Sequence, residues 1–330
     1  MLYRSFGRTG LRVSEIALGA MRFGAPEGRG PSAAQSRAIF DRYADAGGNF
    51  IDTAHVYNGG DSERTLRDLI ARDRGHFVVA SKYGMAGEGA DPIRAGGSRK
   101  AMRICVEESL RRLGTDYLDI LYLHCWDFTV AADELMLAFD DLVRQGKILH
   151  AALSNVPAWI AARCVTMAEC RGWPRPVAVQ VPYSLASRGV ERELLPMARD
   201  LNLGVAAWGP LGQGVLTSAP ERRSGTGEVL HGVATAYGVS MARAALAWLR
   251  QRPDMSIIPV VGAATADEIG DCIASCNLTL DGDHLAALDA ASAIELDYPY
   301  GLLGEPIYRD LLTGFRPDLL PDSGSSRATA

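Results

Sequence analysis

Short apolar runs rich in β-branched residues alternate with longer amphipathic stretches from Glu15 to Cys276. That alternation is the pattern of repeated strand–helix units around a parallel sheet. Eight runs read as strands: residues 16–20, 49–54, 77–82, 117–124, 148–155, 178–182, 204–208 and 256–262. Ser32 with Gln35 three residues on forms a capping box that opens the first helix, and Gly47 lies just past its end. In a later helix, from Asp133 to Gln145, Leu135, Ala138, Phe139, Leu142 and Val143 share one face. Asp140, Asp141 and Arg144 are expected to face water there, and Gly146 stops the helix. Eight such units in roughly 260 residues match a (β/α)8 TIM barrel of about 250, whereas a doubly wound sheet uses fewer strands per domain.

The segment from Arg4 to Val13, with Gly7 and Thr9-Gly10 as turn residues, reads as a hairpin ahead of the first barrel strand, placed to close the barrel floor. After Asp283 one more helix is expected, then Pro- and Gly-punctuated chain whose last ten residues should be mobile. Residues 1–330 are thus expected to form one barrel domain, with the hairpin at about 1–14 and a tail at about 296–330.

Composition narrows the class of partner. Hydrophobic residues at 48% and charged residues at 22% suit a sizeable buried core. A net charge of -5 without a dense Lys/Arg run gives no footprint for nucleic acid or an anionic membrane, so the expected partner is a small molecule. The six cysteines show neither Cys-x-x-Cys nor zinc-type spacing, and read as reduced thiols with no metal site. Neither a signal-peptide core nor a long apolar span is present, which predicts a cytoplasmic location.

Barrel enzymes work at the C-terminal ends of their strands. Here those ends carry Asp52, Lys82, His124, Ser154-Asn155, Gln180, Trp208 and Gly262 in strand order. Together with Gly10-Leu11-x-Val13-Ser14, Asp52-Thr53-Ala54-x-x-Tyr57, Ser81-Lys82, Leu123-His124 and Trp208-Gly209-Pro210-Leu211, this ordered set resembles the aldo-keto reductases over nearly the whole chain. Trp126-Asp127-Phe128 and residues 290–294 look closest to the aryl-alcohol-dehydrogenase-like branch.

The resemblance implies NAD(P)H-dependent reduction of an aldehyde or ketone to an alcohol, with a catalytic set of Tyr57, Lys82, Asp52 and His124. Their chemistry argues the same way. A phenol with a pKa of about 10 is a poor acid unless a neighbour stabilises its anion. Lys82 is expected to lower the Tyr57 pKa, Asp52 to fix Lys82, and a neutral His124 to orient the carbonyl oxygen. Two other readings use the same scaffold: a keto-deoxysugar reductase or sugar hemiacetal dehydrogenase, and a cofactor-holding regulatory subunit with little turnover.

No strand is followed by Gly-x-Gly-x-x-Gly, so a Rossmann site is not expected. By resemblance, the dinucleotide lies across the barrel mouth, against Gly19, Met21 and Asp52 at one side. Ser154, Asn155 and Gln180 would hold the carboxamide, Trp208 would stack on the ring, and Gly209, Pro210, Leu211, Gly212 and Gly214 would line the pyrophosphate. The adenosine end would meet Gly262, Ala264 and Glu268, where the family usually has a phosphate-binding Arg in place of Ala264. Family usage makes NADP(H) the slightly favoured cofactor, with NAD(H) the alternative because Glu268 would repel a 2′-phosphate by like charge. Arg222 and Arg223 are candidates for supplying the missing charge. Phe23, Trp126, Phe128 and Tyr298 are expected to form an apolar rim for the substrate.

Overall fold

The computed structural model describes residues 1–217, 225–253 and 255–316. Its first elements are β1 (Tyr3–Ser5) and β2 (Arg12–Ser14), an antiparallel hairpin. Then follow β3 (Ala17–Gly19), α1 (Ala33–Asp45), β4 (Phe50–Asp52), α2 (Asp61–Ile70), β5 (Val78–Tyr83) and α3 (Arg99–Leu113). The middle of the chain gives β6 (Leu118–Leu123), α4 (Ala132–Arg144), β7 (Ile148–Ser154), α5 (Ala158–Arg171), β8 (Ala178–Pro182) and α6 (Leu194–Asp200). The remainder gives β9 (Gly204–Trp208), α7 (Thr226–Ala236), α8 (Met241–Arg250), β10 (Ile257–Val261), α9 (Ala266–Ala274), α10 (Gly282–Ala291), α11 (Tyr300–Leu303) and α12 (Pro306–Leu312).

Strands β3 to β10 close into a parallel barrel, each beside its sequence neighbour and β10 beside β3. The eight strand positions read from the sequence are all occupied, with ends that coincide or differ by at most two residues. Each strand points alternate side chains to opposite faces. In β6, Ile120 and Tyr122 fill the barrel interior while Leu121 and Leu123 pack outward against helices. The core therefore has two shells, one inside the barrel and one between strands and helices.

The hairpin closes the floor. The Phe6 ring stacks edge-on to Phe50 at 5.3 Å between centroids, and it fits because a Cβ on Gly204 would lie 2.7 Å from it. Helix α1 begins with the expected capping box: Gln35 N donates to Ser32 Oγ, and Ser32 N donates to Gln35 Oε1.

Two expectations need correction. Asp140 does not face water; it is buried on α4, with the exposed Arg144 side chain turned back to pair with it at 2.8 Å. An i, i+4 partner shields what the helical period alone assigns to solvent. The tail holds more helix than expected, since α11 and α12 follow α10. The last ten residues lie outside the described residues. Among the described residues no helix is long and apolar enough to cross a membrane.

Candidate active site

One rule of strand geometry assembles the site. Ala17, Phe50, Ala80, Tyr122, Ala152, Ala178, Ala206 and Val260 all belong to the inner shell of the barrel. Two residues further along each strand, on the same face, stand Gly19, Asp52, Lys82, His124, Ser154, Gln180, Trp208 and Gly262. The apolar stack inside the barrel thus ends in a layer of polar, aromatic and glycine positions at the C-terminal mouth.

Within that layer Lys82 is the hub. Its Nζ donates to Asp52 Oδ1 at 2.5 Å and to the Thr53 carbonyl at 2.9 Å, and reaches the Tyr57 hydroxyl at 3.4 Å. Lys82 is 1% exposed, so its charge persists only because a carboxylate compensates it. Burial pushes its ammonium toward neutrality, but Asp52 and Tyr57 together outweigh burial and leave the pKa raised. Tyr57 stands off the strands, in a short 3-10 turn after β4, and is half-buried. Its pKa is raised rather than lowered: burial outweighs the pull of Lys82, and Asp52 adds to the rise. The expected lowering by Lys82 is present as one contribution, but it does not win.

His124 faces Tyr57 edge-on, with ring centroids 5.7 Å apart. Burial, with Lys82 adding to it, lowers the imidazole pKa to about 3, so the ring is neutral through the physiological range. Its Nδ1 is buried without a hydrogen-bond partner. Beside it, Asn155 Nδ2 donates to the His124 carbonyl at 2.8 Å and to Ser154 Oγ at 3.1 Å, while Trp208 Nε1 donates to Asn155 Oδ1 at 3.1 Å. Gln180 turns its Nε2 to Asp52 Oδ2 at 2.7 Å. Both Asp52 oxygens are therefore engaged. Such a layer offers one acid, one buried cation beside it and one neutral imidazole, which suits stabilisation of a developing oxyanion.

Around this layer the mouth is varied. Gly209, Gly212 and Gly214 all have positive φ, at 61°, 59° and 94°, and give the loop after β9 a path that L side chains rarely follow. Pro210 is buried and Leu211 half-buried within it. Gly19 leaves room for β10, since a Cβ there would lie 3.1 Å from Val260 Cγ1. Met21 is exposed, and its carbonyl accepts from Asn58 Nδ2 at 2.9 Å. After β10, Glu268 Oε2 accepts from Ala264 N at 2.7 Å, and Glu268 N donates to Thr265 Oγ1 at 3.2 Å. Thr265 is thus the N-cap of α9, and the Glu268 carboxylate reaches back past it to the amide of Ala264. Arg222 and Arg223 lie outside the described residues.

The four rim aromatics divide. Phe128 and Tyr298 are exposed, at 74% and 85%, whereas Phe23 and Trp126 are buried and belong to the outer core. Trp126 meets Phe128 edge-on at 6.4 Å, so it supports the rim from beneath. Phe23 is withdrawn from the rim because its loop folds inward and its carbonyl is taken by Asn58 Nδ2 at 2.8 Å. Residues on helices outside the barrel were not legible as part of the site. Glu63 of α2 and Arg112 of α3 reach the strand ends from behind, and strand-end reasoning has no signal for them.

The family model described as "Aldo/keto reductase family" matches residues 15–293 of the chain. Among curated proteins, the chain is 34% identical over 320 residues to a norsolorinic acid reductase of Emericella nidulans, covering 90% of this chain and 82% of that one. It is 31% identical over 319 residues to an aryl-alcohol dehydrogenase of Pestalotiopsis microspora, covering 89% and 83%. An aldo-keto reductase of Aspergillus calidoustus is 30% identical over 336 residues, covering 92% and 85%.

Proposed function

Since the chain belongs to the aldo/keto reductase family and is an oxidoreductase acting on carbonyl groups, we propose that it reduces an aldehyde or ketone to an alcohol with Tyr57 as proton donor. The observation that carries this reading is the position of Lys82 Nζ between Asp52 Oδ1 and the Tyr57 hydroxyl in the polar layer at the barrel mouth. The nicotinamide cofactor of the family, when bound, supplies the hydride. The residues present suit it: Ser154 Oγ accepts from Asn155 and keeps its hydroxyl proton to donate at the mouth, and the glycine loop after β9 lets backbone approach a pyrophosphate.

As negative charge grows on the substrate oxygen, the Tyr57 hydroxyl donates its proton to it. The phenolate left behind is stabilised by the Lys82 ammonium, which Asp52 and the Thr53 carbonyl hold in place. The raised pKa of Tyr57 keeps the acid form populated throughout the neutral range. Neutral His124, edge-on to Tyr57, orients the carbonyl oxygen beside it. Exposed Phe128 and Tyr298, together with the similarity to a protein named aryl-alcohol dehydrogenase, support an aryl carbonyl as substrate.

Glu268 weighs on cofactor choice. A 2′-phosphate brought to the start of α9 meets the Glu268 carboxylate, which already accepts from the amide of Ala264, the position where the family usually has its Arg. NAD(H) is therefore the better fit, against the usual NADP(H) of the family. Tryptophan-fluorescence titration with both reduced cofactors tests this. NADH should bind about tenfold more tightly, the worth of roughly one like-charge contact near a surface; tighter NADPH binding refutes it. For the catalytic reading, Tyr57→Phe should lower kcat by about 10²–10⁴ with cofactor affinity unchanged, the range for a lost general acid. Retention of most of the turnover would refute Tyr57 as donor.

A further inference from the structure

Tyr57 is not fixed by its own hydroxyl. At 3.4 Å the contact with Lys82 is longer than the roughly 2.7–2.9 Å of a strong charge-assisted bond. The separation is set by the backbone that carries each residue. The Tyr57 segment is joined to β5 through Thr53 N to Ala80 O at 2.9 Å and His55 N to Lys82 O at 3.0 Å. That leaves its outer side, away from the strand, to be held by something else.

Arg112 holds it. Its Nη1 donates to the His55 carbonyl at 3.0 Å, two residues before Tyr57, and to Glu63 Oε2 at 3.2 Å. The guanidinium lies flat beneath Gly60, where a Cβ would fall 2.5 Å from Arg112 Cζ. The other Glu63 oxygen accepts from Ser81 Oγ at 2.8 Å, and Ser81 immediately precedes Lys82. Glu63 is wholly buried, so this carboxylate has no solvent to compensate it. One guanidinium–carboxylate pair therefore grips both sides of the Tyr57–Lys82 contact. Glu108, one turn before Arg112 on α3, joins the same cluster through His55 Nε2 at 2.8 Å and through an ion pair with Arg94.

We infer that Arg112 is a positioning residue for the proton donor, setting the distance between Tyr57 and Lys82 through the His55 carbonyl and Glu63. A buried pair of this kind contributes little net stability compared with apolar packing, so its position against the catalytic loop is better explained by geometry. Nη1 makes the bonds to both the His55 carbonyl and Glu63 while Nη2 turns to Glu108 Oε2 at 3.5 Å, so a lysine, with one nitrogen on a shorter stem, keeps the charge beside Glu63 but cannot hold all three contacts. This inference rests on Tyr57 as the proton donor.

Arg112→Lys is the test, with cofactor dissociation constants and steady-state kinetics in both directions. Misplacing a catalytic group by a fraction of an ångström should lower kcat about 10–100-fold, with cofactor affinity unchanged. In alcohol oxidation, where Tyr57 must be deprotonated, the rise of kcat with pH should move to higher pH, because the phenol no longer feels Lys82 fully. A thermal midpoint that falls while kcat and its pH profile stay those of the wild type would overturn the inference. If Arg112→Lys does not fold, the double variant Glu63→Gln with Arg112→Met removes both charges together, and an unchanged kcat there overturns it equally. Full turnover in Tyr57→Phe would instead remove the reading beneath it.

Discussion

His124 is neutral because burial and Lys82 both oppose its charge, and its folded pKa of about 3 lies below its ordinary 6.5. Between those values the unfolded chain binds a proton that the folded chain refuses, so the folded state loses stability as pH falls from about 6.5 toward 3. From pH 7 to pH 5 the loss from this one residue should be roughly 2 kcal/mol. His124→Asn removes the titration, so its urea-unfolding free energy should fall less over that interval by about the same amount. Equal losses in the two proteins would contradict the assignment. At the same scale Tyr57 shows what sequence reasoning missed. A lysine neighbour pulls the phenol pKa down, but the degree of burial decides the net direction, and burial is not written in residue identity.

The element that matters most is the turn between β4 and α2. Asn58, Gly59 and Gly60 have φ of 50°, 63° and 94°, three left-handed residues in succession that swing Tyr57 back over the barrel mouth. Only glycine, and to a lesser degree asparagine, takes that conformation cheaply. Gly60→Ala strains the backbone and drives a methyl group into the Arg112 guanidinium. It should cost about 1–3 kcal/mol in urea unfolding and lower kcat, whereas Gly87→Ala, with open space around it, should do neither. Helices α1 and α4 were readable from caps and periodicity, including the Ser32–Gln35 box. Asp140 was not, since its burial depends on a side chain four residues away folding over it.

At the scale of the molecule the barrel separates stability from chemistry along its axis. The hairpin and Phe6 seal the floor, while the polar layer proposed to be reactive occupies the mouth. Phe6→Ala should therefore cost about 3–5 kcal/mol of stability through the cavity it leaves, with kcat of the folded enzyme within about twofold of wild type because no catalytic contact is touched. A large kcat loss at full folding would show that floor and mouth are coupled. The sequence by itself determined the strand order, the closed barrel and the residues of the polar layer. Those follow from a local period of two, which puts Asp52, Lys82, His124, Ser154, Gln180 and Trp208 on the face of the inner residues two positions before them. Only the tertiary structure decided where Tyr57 hangs, that Phe23 turns inward, that Glu268 caps Ala264, and that Arg112 reaches the His55 carbonyl 57 positions away. Those depend on loop paths and on contacts between distant segments, and neither leaves a periodic trace in the chain.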